Sequence, residues 1–161
     1  MTNTIAAASL LTLSALAMAG CDSTPATPPV TATTAGIAGL TFSDGALILP
    51  AVKGRPGVVY GTFSNSGDRN LAIRTVAVEG AGKTELHASM EMNGQMTMGE
   101  TGPQLVPAKG TMELKSGGLH VMVFDLDPAL QAGGKTTLKV TVAGGQSASF
   151  DVPVRAAGDA R

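Results

Sequence analysis

Two histidines and two methionines are spaced so that they could hold a soft metal ion. They are His87, Met98, His120 and Met122, with ten residues between the first two, twenty-one between Met98 and His120, and Val121 alone between the last two. Thioether sulfur and imidazole nitrogen together suit Cu(I), whereas zinc, magnesium and calcium favour thiolate, imidazole or oxygen shells. His87 and His120 are the only histidines in the chain, and both fall in a segment where Met90, Met92, Met96, Met98, Met112 and Met122 are gathered. A methionine is more often a flexible core filler than a ligand. Spacing and clustering therefore leave two readings open, a Cu(I) site and a methionine-filled core. Met96 is the nearest substitute ligand, and Met90 or Met96 could belong to a second, weaker metal site.

The elements that must position these residues are strands. From Ile37 onward the chain breaks into short apolar runs, each closed by Gly, Pro, Asn or Asp, a rhythm that predicts an all-β sandwich or barrel. Candidate strands cover 46–49, 58–63, 71–78, 84–92, 111–114, 119–126, 136–142 and 148–154, and a single helical turn is expected at 128–131. Residues two apart on a strand share a face. His120 and Met122 should project together, with Val121 and Val123 entering the core. The Asn93-Gly94 step is a strong hairpin signal, and a turn there would fold Met98 back toward His87.

The termini and composition bound the rest. Residues 1–20 carry no charged side chain and end in a small-residue stretch, which reads as a signal peptide too short for a permanent span. Ala19-Gly20-Cys21 resembles the end of a bacterial lipobox, so a lipid on Cys21 is expected to anchor the chain to the membrane outside the cytoplasm, in the cell envelope. The alternative is a soluble periplasmic or secreted protein cut after Ala19. Residues 21–36, rich in Thr, Pro and Ala, read as a flexible tether, 37–155 as a single domain and 156–161 as a tail. Cys21 is the only cysteine, which excludes an intramolecular disulfide and leaves the domain without a thiol. Free thiols oxidise outside the cytoplasm, so an exported soft-metal site is better built from Met and His. The missing thiol also excludes a blue-copper centre. The near-neutral net charge of -1, with no basic run, argues against nucleic acid, and no nucleophile motif points to an enzyme.

The full pattern, with the flanks Glu85-Leu86-His87, Asn93-Gly94-Gln95-Met96-Thr97-Met98, Val106-Pro107-Ala108 and Gly117-Gly118-Leu119-His120-Val121-Met122, resembles the signature of the periplasmic copper chaperones often called PCuAC. Tyr60-Gly61-Thr62-Phe63-Ser64-Asn65 and the segment 150–154 resemble that family's first core strand and closing strand, so the similarity covers about 40–154. The resemblance implies a single-domain, cupredoxin-like Greek-key β-sandwich binding one Cu(I) through His87, Met98, His120 and Met122. It further implies a carrier that passes copper by ligand exchange toward the CuA site of cytochrome c oxidase; separately, a monomer is expected. The expected acceptors are a thioredoxin-like Sco protein or an oxidase subunit. An envelope lipoprotein that only sequesters copper, or a structural interaction module, is the alternative.

Overall fold

A computed structural model describes residues 36–92 and 94–159, with the side chains of residues 90–92 outside that description. The segment expected to be a signal peptide, Cys21 with its expected lipid, and the expected tether before Gly36 lie outside the described residues. Ten strands follow one another: β1 (Leu40–Ile48), β2 (Gly57–Asn65), β3 (Leu71–Val78), β4 (Ala81–Met92), β5 (Gln95–Glu100), β6 (Gln104–Val106), β7 (Gly110–Leu114), β8 (Leu119–Leu126), β9 (Lys135–Val142) and β10 (Ser147–Arg155). No helix occurs among the described residues.

The strands join in one hydrogen-bonded path, β5-β4-β8-β2-β1-β10-β9-β3-β6, with β7 pairing β2 beyond the end of β8. All pairings are antiparallel except β1 with β10. The path folds over on itself, so residues from both of its halves bury into one cluster that includes Val59, Val121 and Val123 from one side and Val76, Val140 and Val152 from the other. Strict alternation drives this burial. In β10 every second residue, Ala148, Phe150, Val152 and Val154, is buried, as the two-residue strand period requires for a sheet with one face packed.

Phe42, Phe63 and Phe150 form the centre, with ring centroids 4.5 Å apart for the first pair and 5.9 Å for each of the other two. The ring of Phe42 lies over two glycines. A Cβ at Gly61 would stand 2.4 Å from Phe42 Cζ and 2.8 Å from the Gly45 Cα, and the Gly61 φ of 146° is one that side chains rarely adopt. The space exists because β1 bulges between Ser43 and Ala46, with Asp44 at φ 53°. At the start of β1, Leu40 pairs with Asn65 at the end of β2. The Asn65 amide nitrogen donates to the carbonyls of Arg69, Val106 and Pro107 at 2.8, 3.3 and 3.1 Å, which satisfies this buried side chain.

Eight expected strands become ten. The first begins at Leu40 rather than Ala46, because Ser43-Asp44-Gly45 is the bulge of a continuing strand and not its boundary. Strand β5 escapes the sequence pattern because it is a sheet edge without a buried residue, so no alternation marks it; β6 is only three residues long. The segment at 128–131 forms no helical turn. It holds tight turns instead, closed by Leu130 N–H donating to the Asp127 carbonyl at 2.9 Å and by Ala129 N–H donating to Asp127 Oδ1 at 2.8 Å.

Gly61→Ala should lower the unfolding free energy by about 1–3 kcal/mol, the usual cost of overpacking a closed core. The midpoint of urea unfolding reads this directly; an unchanged midpoint would mean that Phe42 moves aside freely.

Candidate metal centre

Lys115-Ser116-Gly117-Gly118 makes the turn that launches β8. Gly118 N–H donates to the Lys115 carbonyl at 3.1 Å, Lys115 N–H donates to the Leu119 carbonyl at 2.7 Å, and Gly117 takes a φ of 73°. Beyond the turn, Val121 and Val123 are fully buried in the core, so His120 and Met122 point to the other face of the sheet, as the alternation predicts. His120 is nonetheless only 4% exposed.

Register decides what meets them. Along the β4–β8 ladder His87 pairs with His120, Glu85 with Met122 and Lys83 with Phe124, and directly opposed residues in an antiparallel pair share a face. The two imidazole centroids are 6.1 Å apart, and the Phe124 ring lies 6.4 Å from that of His87. Met122 is a diagonal neighbour of His87, since its direct partner is Glu85. Strand β5 runs back along β4 and pairs Met98 with Ser89 and Glu100 with His87. Met98 is thus the diagonal neighbour of His87 on the other side, and diagonal pairs lie within reach of long side chains.

His87 is the hub, with His120 beside it and a methionine on each diagonal. The degree of cover differs. Met122 is half-buried, whereas Met98 is 63% exposed on the edge strand and Met96, two residues further out, is 66% exposed. Met90 pairs with Thr97 in the same ladder. Among the described residues no three His, Cys, Asp or Glu side chains gather into a possible metal site. A metal held on this face would take part of its shell from thioethers, a donor set that suits Cu(I).

Both imidazoles are fixed by hydrogen bonds. His120 Nδ1 donates to the Gly118 carbonyl at 2.9 Å, and the same carbonyl accepts the Ser89 N–H at 3.2 Å. His87 Nε2 lies 2.7 Å from Glu85 Oε2, and the other oxygen of Glu85 pairs with Lys83 Nζ. The hydrogen bond from Lys83, followed by that from His87, holds the Glu85 carboxyl below its ordinary value, and Glu85 in turn raises the Lys83 ammonium. The ammonium of Lys83 also stands 5.9 Å over the Phe124 ring. Glu85 and the Gly118 carbonyl were not among the residues singled out from the sequence as a site. The signal for Glu85 was available: it sits two residues before His87 and so shares its face.

A family described as "LpqE-like: putative lipoprotein LpqE-like" matches residues 40–154. A relative from Leifsonia xyli subsp. xyli, named putative lipoprotein Lxx21020, is 29% identical over 97 residues, covering 60% of this chain and 58% of that protein. The chain therefore spans little more than half the length of this curated relative. Among solved structures, the apo PCuAC domain from PmoF1 matches with a TM-score of 0.61 at 21% identity, covering 76% of this chain and 98% of that one. The copper-bound PCuAC domain from PmoF2 matches with a TM-score of 0.61 at 16% identity, covering 76% and 97%. The solution structure of CuI-DR1885 from Deinococcus radiodurans matches with a TM-score of 0.55 at 23% identity, covering 82% and 81%. The chain shares the cupredoxin-like β fold of these domains.

A carboxyl whose folded value is depressed stabilises the fold above its ordinary value and stops doing so as pH falls through the lowered one. In the copper-free protein, the stabilisation that separates wild type from Glu85→Gln in melting temperature should be fully present at neutral pH. It should begin to fall below about 4.5, the ordinary value for this group, and vanish in stronger acid. A gap equal at pH 7 and pH 3 would show that the charge of Glu85 does not stabilise the fold.

Proposed function

The chain belongs to the LpqE-like lipoprotein family, and from this premise and its histidine–methionine face we propose that it is an extracytoplasmic Cu(I)-binding metallochaperone. The observation that carries the reading is the pairing of His87 directly opposite His120, with Met122 and Met98 on the two diagonals of the same face. His87, Met98, His120 and Met122 are the ligands in this reading. That PmoF2 and DR1885 have related folds and were solved with copper, as Cu(I) in the second case, supports it. The family description supports attachment to the envelope through a lipid on Cys21, with residues 21–36 as the tether.

The geometry suits transfer rather than turnover. Three donors belong to paired inner strands and are half-buried or buried, while Met98 stands on the exposed edge. Neutral thioethers bind Cu(I) weakly and exchange quickly. In this reading Met98 is the first ligand to yield when an acceptor approaches, and copper leaves through a shared intermediate toward a thiolate-bearing partner. The partner is a thioredoxin-like Sco protein or a subunit carrying the CuA site of cytochrome c oxidase. Met96, two residues outward on the same face as Met98, supplies the nearest replacement thioether and a candidate for a second, weaker site, whereas Met90, paired with Thr97, lies on the opposite face.

Anaerobic titration with Cu(I) against a competing chelator should give one bound equivalent, with nitrogen and sulfur neighbours in the X-ray absorption spectrum. The His120→Ala, Met122→Ala double variant should lose more than the roughly 10–100-fold in affinity that removal of a supporting hydrogen bond costs. Unchanged affinity in that variant would remove these residues from the site. Melting temperature should rise on addition of Cu(I), because the ligands come from three strands that only the folded chain brings together.

A further inference from the structure

We propose that the two imidazoles meet Cu(I) through different ring nitrogens, His120 through Nε2 and His87 through Nδ1, with Glu85 as the positioning residue that sets the tautomer of His87. The inference rests on the copper-carrying reading above and deepens it. For His120 the argument is one of bonding capacity. Its Nδ1 lies 2.9 Å from the Gly118 carbonyl, and a carbonyl can only accept. The proton of the neutral ring is therefore on Nδ1, and the lone pair is on Nε2. The Gly118 carbonyl is itself held, because the Ser89 N–H shares it and the Lys115–Gly118 turn orients it.

For His87 the constraint is reversed. Glu85 Oε2 lies 2.7 Å from His87 Nε2, and Lys83 occupies the other carboxylate oxygen. An ionised carboxylate is an acceptor only, so the ring proton resides on Nε2 and the lone pair on Nδ1. Lys83, Glu85 and His87 lie two residues apart along β4 on a single face, which places the cation, the carboxylate and the imidazole in a row. A carboxylate accepting from one ring nitrogen raises the basicity of the other toward a metal. Glu85 thus strengthens the donor that His87 offers instead of competing for it. Since Nδ1 adjoins the ring carbon bonded to Cβ while Nε2 is remote from it, copper bound in this way is drawn toward the backbone of β4, the strand that pairs with β5 and Met98.

The test is long-range 1H–15N correlation on the 15N-labelled protein, copper-free above neutral pH and then anaerobically with one equivalent of Cu(I). The chain has two histidines, so a His120→Gln variant assigns both rings. The copper-free protein should show His87 protonated on Nε2 and His120 on Nδ1. With Cu(I), the coordination shifts should fall on His87 Nδ1 and His120 Nε2, the other two nitrogens keeping their protons. Coordination shifts on Nε2 of both rings overturn the inference while leaving the copper-carrying reading intact; a wild-type protein that takes up no Cu(I) overturns both. Glu85→Leu should weaken Cu(I) binding by roughly 10–100-fold, and Glu85→Gln, whose amide oxygen still accepts from Nε2–H, should restore most of that loss. Tighter binding in Glu85→Leu would show that Glu85 competes with copper for His87, and would also overturn the assignment.

Discussion

Side chains on a strand alternate between two faces, so the site depends on the register between β4 and β8 before it depends on any single ligand. With His87 opposite His120 and Leu86 opposite Val121, the imidazoles share one face and the aliphatic residues enter the core. A slip of one residue would send His87 into the hydrophobic layer and Leu86 out of it, which burial strongly opposes. Leu86, Val121 and Val123 therefore act on the site from the far side of the sheet. Their burial fixes the pairing that sets the two imidazoles side by side.

The same economy recurs where the two halves of the sheet meet. Phe42, Phe63 and Phe150 fill the space between them, and Gly45 and Gly61 are bare because the Phe42 ring occupies the volume their side chains would take. The bulge at Ser43–Ala46 bends β1 so that it serves β2 on one side and β10 on the other. That bend lets one continuous path of strands enclose a single core, leaving β5 and β6 as its free ends. The short β6 offers little backbone for unwanted pairing. The longer β5 carries Met96 and Met98 and leaves both thioethers exposed at the edge of the sheet.

Much of this was legible from alternation alone. The spans of β3 and β8 follow directly from their apolar periodicity, as does the outward projection of His120 and Met122 opposite Val121 and Val123. The Asn93-Gly94 step correctly indicated that the chain reverses and brings Met98 back along β4. What escaped has specific physical causes. Strand β5 has no buried side, and hydrophobic periodicity reports only burial. Residues 43–45 have turn composition but continue a strand, because pairing with β2 both before and after the bulge overrides the local preference. The role of the Gly118 carbonyl was beyond a reading of side-chain types, since a backbone oxygen is present at every position and only the turn reveals where this one is aimed. Likewise, cross-strand register, which makes His87 the hub, is a relation between segments more than thirty residues apart in sequence.

Strand direction has one further consequence. Leu40 begins β1 opposite the last residue of β2, and β2 runs antiparallel to β8, which runs antiparallel to β4. The N-terminal entry to the domain therefore lies at the same end of the sheet as the β4–β5 hairpin, while the β1–β2 loop bearing Val52, Lys53 and Arg55 lies at the opposite end. The domain thereby has a polarity: the start of its first strand and the exposed thioethers of Met96 and Met98 share one pole.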